Sequence, residues 1–172
     1  MIRTPIPYQV IFDITQTGFQ HWFALAGGCI FIAFAVAMFW LARRGARTAG
    51  RWAKLQLVPM TIFLAVWSVL PFVWFADKYR NYLHIRTALE QSRCDTVEGQ
   101  VTQFGHLPDW SEKTGVGEVF AVNAIQFSYR AGGAQNGFHQ AGIIHDGQQV
   151  RISYFDWHDG HNRDIARLEI AP

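Results

Sequence analysis

Cysteine is nearly missing from this chain. Cys29 and Cys94 are its only thiols, and they fall in stretches of different character, so a disulfide framework is excluded. Acidic residues are scarce at the front: residues 1–94 hold three Asp/Glu against ten Lys/Arg, a net of +7. Residues 95–172 reverse the balance, with ten Asp/Glu against five Lys/Arg, a net of −5. An acidic C-terminal part lacks the positive footprint that nucleic acid requires, so no nucleic-acid partner is expected. Catalytic motifs are lacking too. Gly115-Val116-Gly117 has neither the Lys-Ser/Thr nor the helix of a phosphate loop, and no Ser-His-Asp arrangement can be argued from spacing.

What is present is long uncharged runs. Trp22–Ala42 (WFALAGGCIFIAFAVAMFWLA) and Leu55–Ala76 (LQLVPMTIFLAVWSVLPFVWFA) contain no charged residue. A bilayer core takes about 20 apolar residues of helix, so spans over about 22–42 and 55–76 are predicted, with the lipid bilayer as partner. A secretory leader has an apolar run of about 7–15 residues and a small-residue cleavage site. The first run is longer and closes on Phe39-Trp40-Leu41 before two arginines. Trp22, Phe23, Trp40, Trp52, Trp74, Tyr79 and Tyr82 mark the edges, as amphipathic rings do at headgroup level. The connection Arg43–Lys54 (RRGARTAGRWAK) carries five basic residues and no acid, whereas the first 21 residues carry only Arg3. The positive-inside rule puts this connection in the cytoplasm and both termini outside. Lys78, Arg80, Arg86 and Arg93 pull the other way; the density of charge in the connection and the weight of the first helix decide the expectation.

The chain therefore divides into an N-terminal segment (1–20), a membrane hairpin with a helical stalk (21–93) and an extramembrane domain (94–172). Tyr8–Ile14 is a short apolar stretch that either lies at the membrane surface or packs on the domain. Small residues at Ala24, Gly28 and Ala35, and at Ala26, Ala33 and Ala37, permit close helix packing within the hairpin or in a homodimer. Pro71 is expected to kink the second span by removing a backbone donor. Asp77–Arg93 has no breaker and continues the helix as the stalk.

From Cys94 the period changes to two. Thr96–Phe104, Glu118–Val122, Ile125–Arg130, Val150–Phe155 and Ala166–Ile170 each place apolar residues on one face, which predicts about five strands. Val122-Asn123-Ala124-Ile125 is the predicted hairpin turn, because Asn tolerates positive φ. Strands this short and this numerous suggest a small all-β domain of the OB or SH3 sort, a curled sheet or partly open barrel. The order VEGQVTQF, FAVNAIQFSY, GFHQAGIIHDGQQVRISYF and IARLEI resembles bacterial membrane proteins of unknown function, in which two transmembrane helices precede a small all-β domain. The resemblance covers about residues 8–172 and is most specific at Glu98-Gly99, Phe127, Gly137-Phe138, Val150–Tyr154 and Leu168–Ile170. Together with the positive-inside reading it gives the expectation of a multi-pass protein of the bacterial inner membrane with a periplasmic C-terminal domain. It implies no activity and no catalytic residue.

The stretch richest in chemistry is Asp156–Asp164 (DWHDGHNRD). His158-x-x-His161 has zinc-like spacing, with Asp156 and Asp159 as oxygen donors. Structural zinc normally takes four ligands and often cysteine, and no CxxC pair is present, so a polar turn between two strands is the preferred reading. Trp110, between Asp109 and Glu112 in a long loop, is either an interaction tip or a ring folded onto the domain. Glu98 is expected to pair across strands with Arg151 or Arg167. Cys94 lies at a predicted helix C-terminus beside Asp95, both unfavourable to a thiolate. The expectation is a non-enzymatic accessory or scaffold protein with no cofactor, whose β-domain binds another envelope or membrane protein. The alternatives are an immunity-type or regulatory protein binding a toxin or ligand through its acidic domain, and a metal-binding domain using the His/Asp loop.

Overall fold

The computed structural model describes residues 7–48, 51–107, 117–131, 136–157 and 163–172. These divide into two compact units, Gln20–Arg80 and a second made of Met1–Phe19 with Asn81–Pro172.

The first unit is a pair of helices, α2 (Trp22–Thr48) and the first part of α3 (Arg51–Glu90). Both are long and apolar enough to cross a membrane, and almost none of either apolar stretch is buried inside the protein. Ile30 is 71% exposed, Val36 62% and Val73 59%. In water such surface would cost about 25 cal/mol per Å², so a lipid environment is the one these helices suit. They meet where Gly28 faces Pro71 and Phe72: a Cβ added at Gly28 would lie 3.1 Å from the Phe72 ring. Helix α3 is unbroken through Pro59 and Pro71.

The second unit is a six-stranded antiparallel sheet, order β1-β6-β5-β2-β3-β4. Its strands are β1 (Gln9–Asp13), β2 (Asp95–Leu107), β3 (Gly117–Val122), β4 (Ile125–Arg130), β5 (Gln149–Asp156) and β6 (Arg163–Ile170). The expectation of about five strands is corrected to six. The additional strand is β1, which pairs with β6 through Gln9↔Ile170 and Asp13↔Arg167. Its sequence shows no clean alternation because it is an edge strand with only Phe12 and Asp13 buried. Asp13 then caps the single-turn helix α1 (Ile14–Thr17), accepting from the Thr15 N–H at 2.8 Å.

The alternation holds in β4 and β5 and at the inward positions of β2 and β6, while β3 is buried on both faces at Phe120, Ala121 and Val122. Val97, Val101, Phe127, Tyr129, Val150, Ile152, Leu168 and Ile170 are buried, and Gln126, Ser128 and Arg130 are exposed. β2 is long because it serves both halves of the sheet, pairing with β5 over Asp95–Gln100 and with β3 from Val101 onward. A register shift between Thr102 and Gly105, with Gln103 at φ 56°, bends it. Such a bulge increases local twist. The open sheet curls until Arg163 on β6 donates from Nη1 to the Gln126 carbonyl on the edge strand β4, at 3.3 Å. Inside the curl the rings interlock: Phe120 stacks on Phe127, and Phe138 meets Phe12 and Tyr129 edge to face.

The β3–β4 hairpin turns on Asn123 and Ala124, at φ 48° and 67°, the two positive values of a type I′ turn. The Asn123 amide donates to the Glu98 carbonyl at 2.7 Å. Gly99 leaves room for it, since a Cβ there would stand 2.8 Å from Asn123 Oδ1 and displace the amide.

Candidate functional site

Among the described residues, a mixed-charge cleft of about 420 Å³ lies in the β-unit. Its first wall is the end of α3, with His84 and Ala88. The helix stops there by a Schellman arrangement: the Arg93 N–H returns to the Ala88 carbonyl at 2.8 Å and the Ser92 N–H to Leu89 at 3.1 Å, with Ser92 at φ 54°. That stop throws Arg93 and Asp95 to the cleft rim as the chain enters β2. The second wall is the end of β5, where Tyr154, Phe155 and Asp156 follow one another. Antiparallel register sets Tyr154 opposite Asp95.

Tyr154 is anchored, meeting Phe127 edge to face at 5.2 Å. Burial, with a smaller push from Asp95, raises its hydroxyl above the ordinary phenol range. Asp156 is neutralised by Arg163, 3.1 Å away. His84, Arg93 and Asp95 form no ion pair among the described residues. Cys94 lies between Arg93 and Asp95, half-buried, and burial followed by the Asp95 charge pushes its thiol up. A thiol so held is a poor nucleophile.

Two further polar groups serve the fold. Glu118 is a buried carboxylate whose Oε1 accepts from the Gly142 N–H at 2.8 Å and whose Oε2 accepts from the Tyr129 hydroxyl. Burying an acid costs heavily unless its oxygens are met, and both are. On the outer face, Arg151 places Nε and Nη2 each 2.9 Å from Glu98 Oε2 and reaches Glu169 at 3.4 Å. Arg167 extends the row from Glu169 (2.9 Å) towards Asp13 (3.8 Å). The Tyr8 ring lies 4.2 Å from the Arg151 guanidinium, and a hydrogen bond from Tyr8, then Arg151, holds the Glu98 carboxyl below its usual range. Exposed ion pairs are worth about 0–1 kcal/mol each, so this ladder fixes register more than stability.

Trp110, Asp109 and Glu112 lie outside the described residues, as do His158, Asp159 and His161. Of the stretch 156–164, the strand ends are described: besides the Asp156–Arg163 pair, Trp157 Nε1 donates to Asp164 Oδ2 at 2.8 Å. Both carboxylates are thus engaged by their own strand ends. No group of three His, Cys, Asp or Glu is placed to hold a metal among the described residues. Sequence reasoning missed the cleft, since its parts are some 60 positions apart. It also missed Glu118, although Glu118 keeps phase with Phe120 and Val122 on an inward face. Comparison with protein-family models, with curated proteins and with solved structures gave no match of this chain to any of them.

Proposed function

We propose that this is a non-enzymatic accessory or scaffold protein of the bacterial inner membrane. In this reading α2 and α3 are a two-span anchor, Arg43–Lys54 is cytoplasmic, and the periplasmic β-domain docks on another envelope protein. The observation that carries it is the division of labour between the two units. One leaves its apolar surface unburied on two long helices, while the other closes an aromatic core and pairs a row of its sheet charges internally. A domain built this way holds shape and presents surface, which is what recognition needs.

The test is affinity purification of the full chain from detergent-solubilised membranes, after cross-linking, with mass spectrometry. A membrane or envelope protein recovered in fixed ratio, and released by Trp110→Ala or by Asp109→Asn with Glu112→Gln, supports the docking role. Recovery of the chain alone, under conditions that keep other membrane complexes intact, would sink it.

A further inference from the structure

We propose that the cleft between the end of α3 and the end of β5 binds a small zwitterion, its phosphate held by Arg93 and His84 and its ammonium by Asp95. Several charges of the β-domain are met by partners within it. Glu98, Arg151, Glu169, Arg167 and Asp13 run as a ladder, and Asp156 is met by Arg163. Against that background, His84, Arg93 and Asp95 form no ion pair among the described residues and all line the same cleft. Two nitrogen-bearing side chains and a carboxylate outside the ion pairs of the described residues line one cleft, so the complement is a molecule with charge of both signs.

Phosphate suits the basic side better than carboxylate. The guanidinium fork takes two phosphate oxygens and leaves further oxygen for an imidazole N–H, whereas a carboxylate has only two oxygens in all. On the other side, Asp95 stands opposite Tyr154, and Phe155 follows it. An ammonium beside a carboxylate and an aromatic ring gains from both. About 420 Å³ is in the range of small-molecule sites and large enough for an aminoethyl phosphate. That chemistry has two sources, a free phosphorylated amino-alcohol and the headgroup of phosphatidylethanolamine. The lipid is a source to test because the chain has two helices long and apolar enough to cross a membrane. The proposal is independent of protein docking and stands or falls separately.

The test is isothermal titration of the full-length protein in phosphate-free, amine-free detergent with phosphorylethanolamine. Glycerol phosphate supplies the anion alone and ethanolamine the cation alone. Phosphorylethanolamine should bind at least tenfold more tightly than either. Arg93→Gln and Asp95→Asn should each weaken it tenfold or more, while Arg86→Gln, at the exposed Arg86–Glu90 pair, leaves it unchanged. Both cleft positions are exposed, so their variants should fold, as circular dichroism will check. Titration is repeated in nanodiscs of phosphatidylethanolamine and of phosphatidylglycerol. Weaker apparent binding in the first means that the lipid headgroup already fills the cleft; equal binding assigns the free solute. Absence of saturable binding in detergent and in phosphatidylglycerol nanodiscs, equal affinity for glycerol phosphate, or indifference to both cleft variants would overturn the proposal.

Discussion

Ala124 holds φ 67°, a conformation that costs an L-residue about 1–2 kcal/mol and costs glycine nothing in sterics. Ala124→Gly should therefore raise stability by up to about 1 kcal/mol, the gain being trimmed by glycine's looser unfolded chain. A thermal melt that fails to rise would show that the turn is not under this strain. Phe127 tests the core: Phe127→Ala should cost about 3–5 kcal/mol while its outward neighbour Ser128→Ala is nearly silent, and equal effects in urea melts would contradict the register. Tyr129 tests the buried carboxylate. Burial first, and then Glu118, raises its hydroxyl far above the ordinary 10.0. A group that holds its proton more tightly when folded contributes stability that is complete below pH 10 and declines as pH rises above it. Urea melts from pH 8 to 11 should show that decline. Tyr129→Phe should make it shallower, with Cys94, Tyr154 and Tyr8 supplying the remainder, and should cost about 1–3 kcal/mol at neutral pH by leaving Glu118 Oε2 unmet.

Elements were legible in the sequence wherever one local period controlled them. The charge-free runs gave both helices, and alternation at Ile125–Arg130 and Val150–Phe155 gave strands with the correct inward faces. β1 was illegible because what makes Gln9–Asp13 a strand is a partner at Arg163–Ile170, far along the chain. The cleft was hidden for the same reason: periodicity says that Tyr154 points inward, but not that a helix end carrying His84 stands beside it. Glu98 with Arg151 was legible because cross-strand register is a two-body rule. Between the helices, Gly28 is the position where size matters. Gly28→Leu should push α2 off Phe72 and Pro71 and lower the melting temperature of the purified protein, whereas Gly27→Leu, which meets no side chain within 4 Å, should not. Equal effects would mean that the helices do not pack through this glycine.

At the scale of the whole molecule the basic connection predicts sidedness. In a chain with Cys29 and Cys94 replaced by alanine, Ser128→Cys should react with an impermeant thiol reagent in intact spheroplasts, and Arg44→Cys only after lysis. The opposite pattern would put the β-domain in the cytoplasm. Either way, the pairing of β1 with β6 imposes a parity rule. Two strands that share hydrogen bonds must share a compartment, so a chain that leaves that compartment after Asp13 has to return to it before Arg163. The number of bilayer crossings between them is even, and a single crossing is forbidden whatever the loop charges say. Removing the first helix as a cleaved leader would also carry away a strand of the domain. The domain, moreover, cannot complete its sheet until β6 has emerged from the ribosome, by which time β1 has already been delivered. Assembly of the β-domain thus reports on correct insertion of the helices, since a misthreaded hairpin leaves β6 with a bare edge.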